Sequence, residues 1–152
     1  MHVLILAYGN PLRCDDGLGW HAARQLNSTV SDARVVTCHQ LTPELVEDIS
    51  SADAVFFIDA SREGEPGELT CQPVRPSDDM VRFTHQCSPA VLLALCDQLY
   101  GSCPPAFAVS VCGQSFHYGE SLSPCVAASL PKLTAIVTEM ARKLHSDSRM
   151  FR

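Results

Sequence analysis

The sequence predicts an α/β domain in which a mostly parallel, twisted sheet of five strands lies between two layers of helices. Short apolar runs alternate along the chain with amphipathic stretches of helical length. Strands that alternate with helices are typical of a three-layer α/β/α sandwich. The run at residues 54–58 is apolar at every position, which indicates a central strand covered by helices on both faces.

The same patterns place the individual elements. Strands are predicted at residues 3–7, 34–38, 54–58, 69–74 and 106–111. A first helix follows from the apolar stripe formed by Leu18, Ala22, Ala23 and Leu26. Three more helices are expected to begin at Thr42-Pro43, Ser88-Pro89 and Ser123-Pro124, since Ser or Thr caps a helix and Pro fits its first turn. They are expected to end near residues 49, 101 and 145.

Length and composition limit the class of protein. The 152 residues fit a single domain, which we assign to residues 1–145, with residues 146–152 as a disordered tail. Pro131 is expected to kink or split the last helix. A formal charge of −6 argues against nucleic acid or an anionic membrane as the main partner, and no apolar run is long enough for a membrane span.

The termini and the cysteines predict a cytoplasmic protein. The first apolar run has no basic segment before it, so it is interpreted as a strand and not as a signal peptide. The chain has eight cysteines but no C-x-x-C pair, and several of them lie in apolar segments. We therefore expect reduced thiols that pack as small apolar side chains.

Three polar residues stand at the ends of predicted elements. Asp16 lies in the loop after the first strand, Asp59 closes the third, and His85 precedes the helix that begins at Ser88. Loops beyond the carboxyl ends of parallel strands share one edge of a sheet, so these side chains can meet. Two carboxylates and an imidazole are a plausible set for zinc, nickel, iron or manganese. Each also has a simpler explanation, as a helix cap, a turn residue or a solvated side chain.

Other polar residues leave alternatives open. His39 follows the second strand and fits either the same edge or the surface. Three thiols near that edge fit either a soft metal or simple packing, namely Cys14, Cys87 and Cys112. The loop before the last helix carries three residues that either contact a partner or remain hydrated: His117, Tyr118 and Glu120.

Two glycine-rich segments resemble a known family. Gly9-Asn10-Pro11-Leu12, followed by Asp15-Asp16-Gly17-Leu18-Gly19, resembles the N-terminal signature of the hydrogenase maturation proteases. These endopeptidases remove the C-terminal extension of the large subunit of nickel–iron hydrogenases. The resemblance extends over nearly the whole chain, through residues 57–60, 84–89, 92–95 and 100–101. Residues 39–45 and 119–124 are similar to one branch of the family.

The resemblance implies a function and a site. Asp16, Asp59 and His85 would contact nickel that is already inserted in the hydrogenase precursor, and no organic cofactor is implied. We further expect Gly9, Asn10 and His39 to contact the substrate. Some members have Glu at the position of Asp16, and others have an acid after the second strand, where this chain has His39. Whether the metal polarises the scissile bond or is only recognised stays open.

Three other functions use the same residues. The first is a checkpoint protein that binds the precursor without cutting it. The second is a receiver-like module in which Asp59 accepts a phosphoryl group, although no Lys follows the last predicted strand at Cys112-Gly113-Gln114. The third is a metallopeptidase with its own zinc, which would need three or four protein ligands.

Overall fold

The sheet has five strands within the residues that the computed structural model describes, 1–77 and 87–150. The strands are β1 (Val3–Tyr8), β2 (Ala33–Cys38), β3 (Ala54–Ser61), β4 (Leu69–Val74) and β5 (Ala106–Cys112). Their order is β2-β1-β3-β5-β4, and only the β4–β5 pair is antiparallel. The predicted mostly parallel, five-stranded sheet is confirmed.

Helices cover both faces of this sheet. They are α1 (Leu18–Thr29), α2 (Leu45–Ser50), α3 (Pro89–Tyr100) and α4 (Pro124–Met150). Helices α1 and α4 pack together on one face, and α2 packs with α3 on the other. The structure is therefore the expected three-layer α/β/α sandwich.

Two apolar clusters fill the spaces between the layers. Side chains alternate between the two faces of each strand, because the backbone repeats every two residues. Ile5 and Phe56 pack with α1 and α4, whereas Leu6 and Phe57 pack with α2 and α3. All four side chains are fully buried. This is why the predicted third strand has no polar position between residues 54 and 58.

The strand order reverses between β1 and β3. The chain passes from β1 outward to β2 on one side, while β5 and β4 lie beyond β3 on the other. In open α/β sheets, ligands bind in the crevice outside the carboxyl ends of the strands at such a reversal. The order also differs from the 2-1-3-4-5 order of receiver-type folds, because an antiparallel β4 occupies this edge.

Strand β3 is longer than the sequence predicts. Asp59 does not end the strand but lies inside it, paired in register with Ser110, and pairing continues to Ser61 opposite Cys112. The neighbouring strand β5 supplies these partners, so the length of β3 is decided by a segment about 50 residues away in the chain.

The helix starts follow the predicted caps in part. Ser88 accepts a hydrogen bond from the Val91 amide at 3.2 Å, and Gly101 ends α3 at a φ of 79°. Helix α2 begins at Leu45, later than predicted, because the Thr42 side chain bonds to Glu44 and residues 42–44 form a turn.

Helix α4 is continuous through Pro131 and extends beyond the predicted end. Pro131 does not split it, since Leu130 and Leu133 on either side are anchored in the apolar core. The helix continues to Met150 and not to about residue 145, so residues 146–150 are not an unstructured tail. The Ser146 hydroxyl donates to the Arg142 carbonyl at 3.1 Å within this last stretch. Residues 151 and 152 lie outside the described residues.

Two further expectations concern membranes and cysteines. Across residues 1–77 and 87–150, no helix combines the length and the apolar character needed to cross a membrane. The structure pairs none of the eight cysteines in a disulfide.

Candidate active site

The loop after β1 folds around Asp16. The Asn10 amide donates a 2.7 Å hydrogen bond to Oδ2 of Asp16, and the Trp20 indole donates a 2.8 Å bond to the Gly9 carbonyl. Gly9 has a φ of +135°, and a Cβ there would stand 2.1 Å from the Asp16 carbonyl oxygen. Only glycine fits so close to the backbone of Asp16. The loop therefore fixes the direction of the Asp16 carboxylate.

Replacing Gly9 with alanine is expected to lower the free energy of unfolding by about 2–3 kcal/mol, from backbone strain and overlap with Asp16. Gly101→Ala is the matched control, because Gly101 also has a positive φ of 79° but no atom within 4 Å of an added Cβ. Gly101→Ala should cost about 1 kcal/mol. Urea denaturation measures both, and equal losses would contradict the close packing of Gly9 on Asp16.

Asp59 lies in a polar row that crosses the sheet at its carboxyl edge. It pairs in register with Ser110 of β5, whose hydroxyl donates a 2.6 Å hydrogen bond to Oδ1 of Asp59. Tyr8, the last residue of β1, also forms a side-chain hydrogen bond with Asp59. On the far side, Tyr8 pairs with Cys38 of β2. Asp59 is therefore held from two neighbouring strands.

Burial, hydrogen bonds and the charge of Asp16 shift the pKa values in this row. Burial raises the pKa of Asp59, and the charge of Asp16 raises it further. The hydrogen bonds from Ser110 and Tyr8 lower it, but the net pKa shift is upward. Burial, together with the charge of Asp59, also raises the pKa of Tyr8, so its hydroxyl stays protonated as a donor. Asp16 and Asp59 therefore lie near enough, at the reversal point between β1 and β3, for the charge of Asp16 to affect the pKa of Asp59.

The raised pKa of Asp59 means that its charged form destabilises the fold. Asp59→Asn is therefore expected to raise the free energy of unfolding by about 1 kcal/mol at pH 7, as often occurs when a functional group is removed. The gain should shrink as the pH falls through the raised pKa of Asp59, because the wild-type carboxyl is then neutral as well. Denaturation curves at several pH values test this, with Asp97→Asn on the exposed part of α3 as control. A variant less stable than wild type at pH 7 would contradict the expectation.

Asp15 has a different role from its neighbour. It does not cap α1, since no side chain donates or accepts a capping hydrogen bond at the start of that helix. Instead the fully buried carboxylate accepts four hydrogen bonds of 2.7–2.9 Å from the loop between β5 and α4. The donors are the amides of Gln114, Ser115 and Ser123 and the Ser123 hydroxyl. Burial opposes ionisation, but these bonds outweigh it and lower the pKa of Asp15.

The residues expected to contact substrate lie along the same loop and strand end. Both backbone groups of Gly9 are used internally, since its amide donates to the Cys38 carbonyl at 3.1 Å and its carbonyl accepts from Trp20. The Asn10 side chain accepts a 2.9 Å bond from the Leu12 amide. His39 is exposed and lies edge-on to Trp20, with ring centroids 5.7 Å apart. Of these three residues, His39 has the most accessible side chain.

The third predicted residue of the set, His85, lies outside the described residues. Within residues 1–77 and 87–150, no three His, Cys, Asp or Glu side chains are grouped closely enough to hold a metal. Burial raises the pKa of the Cys87 and Cys112 thiols, and the Cys112 thiol donates to the Gly64 carbonyl. These two thiols fit the packing interpretation better than the ligand one.

Tyr8 and Ser110 are site residues that sequence reasoning missed. A signal was present for Ser110, because it interrupts the apolar strand β5 at a position that faces the same side as Asp59. Tyr8 ends β1 beside the conspicuous glycine loop, and its hydroxyl had no visible partner in the sequence.

The acids do not lie in the cavity at the other end of the sheet. That cavity of about 390 Å³ is lined by Met1, Val3 and the end of α4 around His145. Asp16 and Asp59 instead lie half-buried at the carboxyl edge of the sheet.

The fold and the site define an α/β/α domain with two oriented carboxylates at the topological reversal of its sheet. Structures with this fold include the hydrogenase maturating endopeptidase HybD from E. coli (TM-score 0.76, 24% identity, 94% of this chain and 93% of that chain). They also include the [NiFe] hydrogenase maturation protease HycI from Thermococcus kodakarensis KOD1 (TM-score 0.74, 22% identity, 93% and 92% covered).

A third similar structure is the [NiFe] hydrogenase maturation protease HybD from Thermococcus kodakarensis, with a TM-score of 0.71 and 24% identity over 93% of this chain and 99% of that one. No protein-family model and no curated protein sequence matches the chain. The chain thus has the fold of these hydrogenase maturation endopeptidases.

Proposed function

We propose that this protein is an endopeptidase that removes the C-terminal extension of a nickel–iron hydrogenase large-subunit precursor after nickel insertion. The carrying observation is the pair of acids, Asp16 and Asp59, held by separate hydrogen bonds at the reversal point of the sheet. A fold shared with maturation endopeptidases over more than 90% of the chain supports the proposal. Asp16, Asp59 and His85 are the proposed contacts to the nickel of the precursor.

The donor set supports a metal that the substrate brings. A protein that keeps its own zinc offers three or four ligands, with hydrogen-bonded partners that orient them. Asp16 and Asp59 are oriented in this way, and they are the two members of the proposed set that lie within the described residues. Among the described residues, no donor occupies Oδ1 of Asp16, while Oδ2 is held by the Asn10 amide. An oriented carboxylate with one open oxygen suits a ligand that arrives with the substrate.

Hydrolysis needs a proton acceptor and a proton donor. Water adds to the carbonyl carbon of the scissile bond, its proton passes to a carboxylate, and the same group protonates the leaving amine. Asp16 and Asp59 are the two described candidates for this transfer. Asp59 is the more desolvated and has a raised pKa, which favours it as the group that takes up and returns the proton. The nickel of the precursor then serves recognition, polarisation of the carbonyl, or both.

The test compares nickel-loaded and nickel-free precursor as substrates for the purified protein. We expect cleavage of the nickel-loaded form only. Mass analysis of the large subunit measures the cleavage. Equal cleavage of both forms would contradict nickel recognition, and binding without cleavage would favour a checkpoint protein. Metal analysis of the protein as purified adds a second criterion, because about one tightly held zinc per chain would indicate a resident metal.

A further inference from the structure

An exposed surface lies directly beside Asp16. It consists of Leu12, Arg13 and Tyr118, and is called the Arg13 surface below. Leu12 is 53% exposed and Tyr118 is 83% exposed. The Arg13 guanidinium lies over the Tyr118 ring, 5.1 Å from its centroid. Large apolar groups and an arginine grouped in this way are typical of the residues that anchor protein interfaces.

The backbone beneath this surface is fixed. The Cys14 amide donates to the Gly119 carbonyl at 2.7 Å, and the Gly119 amide donates to the Leu12 carbonyl at 2.9 Å. Gly119 has a φ of +157°, and a Cβ there would lie 2.9 Å from the Cys14 sulfur. The buried Asp15 carboxylate ties the rest of the loop to the same turn. The surface is therefore already ordered before any partner binds, which lowers the entropy lost on binding.

The charge of the surface is opposite to that of the protein. The chain carries a formal charge of −6, with 17 acidic and 11 basic residues. The ion pairs of the described part of the chain are Arg34–Asp48 and Arg142–Glu139, so Arg13 has no carboxylate partner there. Arg62 lies 4.0 Å from the ring centroid of Phe116, which belongs to the same loop as Tyr118. Among the described residues, Arg62 also has no carboxylate partner. Two arginines that stack on aromatic rings and form no ion pair among the described residues are suited to receive carboxylates from a partner.

The surface is contiguous with the proposed site. The Asp16 amide donates to the Arg13 carbonyl at 3.1 Å, and the Leu12 amide donates to the Asn10 side chain, so all four residues belong to one turn. A protein substrate that reaches the Asp16 carboxylate must therefore lie close to the Arg13 surface.

We propose that the Arg13 surface binds an acidic segment of the precursor that flanks the scissile bond. A carboxylate of that segment pairs with Arg13, and an apolar side chain of the same segment packs on Leu12 and Tyr118. The proposal rests on the proposed function, and it adds the residues that select the polypeptide around the cleaved bond. Recognition of the segment is then separate from contact with the metal.

The experiment measures cleavage of the nickel-loaded precursor by Arg13→Glu, Arg13→Lys and Tyr118→Ala. We expect Arg13→Glu to raise KM about tenfold with little change in kcat, because the chemistry at Asp16 and Asp59 is retained. Arg13→Lys should raise KM less than Arg13→Glu, because it keeps the charge but loses the planar guanidinium that stacks on Tyr118. Tyr118→Ala should raise KM several-fold. Arg149→Glu, at the cavity on the opposite edge, is the matched charge control and should leave KM unchanged. Circular dichroism confirms that each variant is folded.

Charge exchange gives the decisive readout. Acidic residues of the precursor within about ten positions of the cleavage site are changed to Lys one at a time, and one of them should restore cleavage by Arg13→Glu while impairing cleavage by wild type. If wild type cleaves and Arg13→Glu behaves like Arg149→Glu, the Arg13 surface is not a substrate site although the proposed function stands. If wild type does not cleave, binding of the precursor is measured with the same variants. A loss of binding that is confined to Arg13→Glu would support the Arg13 surface as a substrate site. Equal binding by wild type and the variants, or no binding by wild type, would contradict it.

Discussion

Replacing Asp16 with asparagine is expected to reduce kcat/KM for the nickel-loaded precursor by about 100–1,000-fold, the usual effect of removing one oriented electrostatic group from a site. Asparagine has nearly the same shape and can still accept the 2.7 Å hydrogen bond from the Asn10 amide. The loop should therefore keep its structure, and the loss should come from the missing charge alone. Single-turnover cleavage of the precursor, followed by mass analysis, measures the effect.

The control for Asp16→Asn is the same change at Asp97, an exposed aspartate on α3. Thermal unfolding of both variants should stay close to that of wild type. A cleavage rate for Asp16→Asn within about fivefold of wild type would show that the Asp16 carboxylate takes no part in the reaction. Retained binding of the loaded precursor without cleavage would assign Asp16 to the chemistry and not to recognition.

Replacing Asp15 with alanine is expected to lower the free energy of unfolding by about 3–5 kcal/mol, because a buried carboxylate with several partners is lost and its donors are left unpaired. The side chain is fully buried and accepts four hydrogen bonds from residues about 100 positions away. Urea denaturation measures the loss. Hydrogen exchange at Gln114 and Ser115 should show that the loop opens before the rest of the domain.

Asp15→Asn separates charge from volume at the same position. It fills the same space but places an amide group against donors, so it should lose at least half of the stability that alanine loses. A loss below about 1 kcal/mol for Asp15→Ala would contradict the anchoring role.

The pH dependence of stability gives a second test of Asp15. Its folded pKa is lowered, so its contribution is present above the ordinary pKa of an aspartate and is lost as the pH falls through the lower folded value. Wild type should therefore lose stability in acid more steeply than Asp15→Asn. The sign is opposite to that for Asp59, whose raised pKa makes the charged form unfavourable in the fold.

Asp15 and Asp16 are adjacent in the chain, but sequence reasoning reaches further for Asp16 than for Asp15. The sequence predicts that Asp16 and Asp59 lie at one edge, because parallel strands present their carboxyl ends there, and in the structure the Asp16 charge affects the pKa of Asp59. The role of Asp15 could not be read in the same way. Its partners lie in a loop that joins it only after β5 and α4 are in place.

Local patterns determined the elements of this protein, and the tertiary structure decided their limits and their partners. Apolar runs, Ser-Pro caps and the glycine loop act over a few residues, so the sequence by itself determined the α/β class, most of the helix starts and the positions of the acids. Pairing with β5 extends β3 beyond Asp59, and burial of Leu130 and Leu133 carries α4 through Pro131. The tertiary structure also decides the contacts of Tyr8 and Ser110 with Asp59. Hydrogen bonds between strands depend on a register that only the assembled sheet defines.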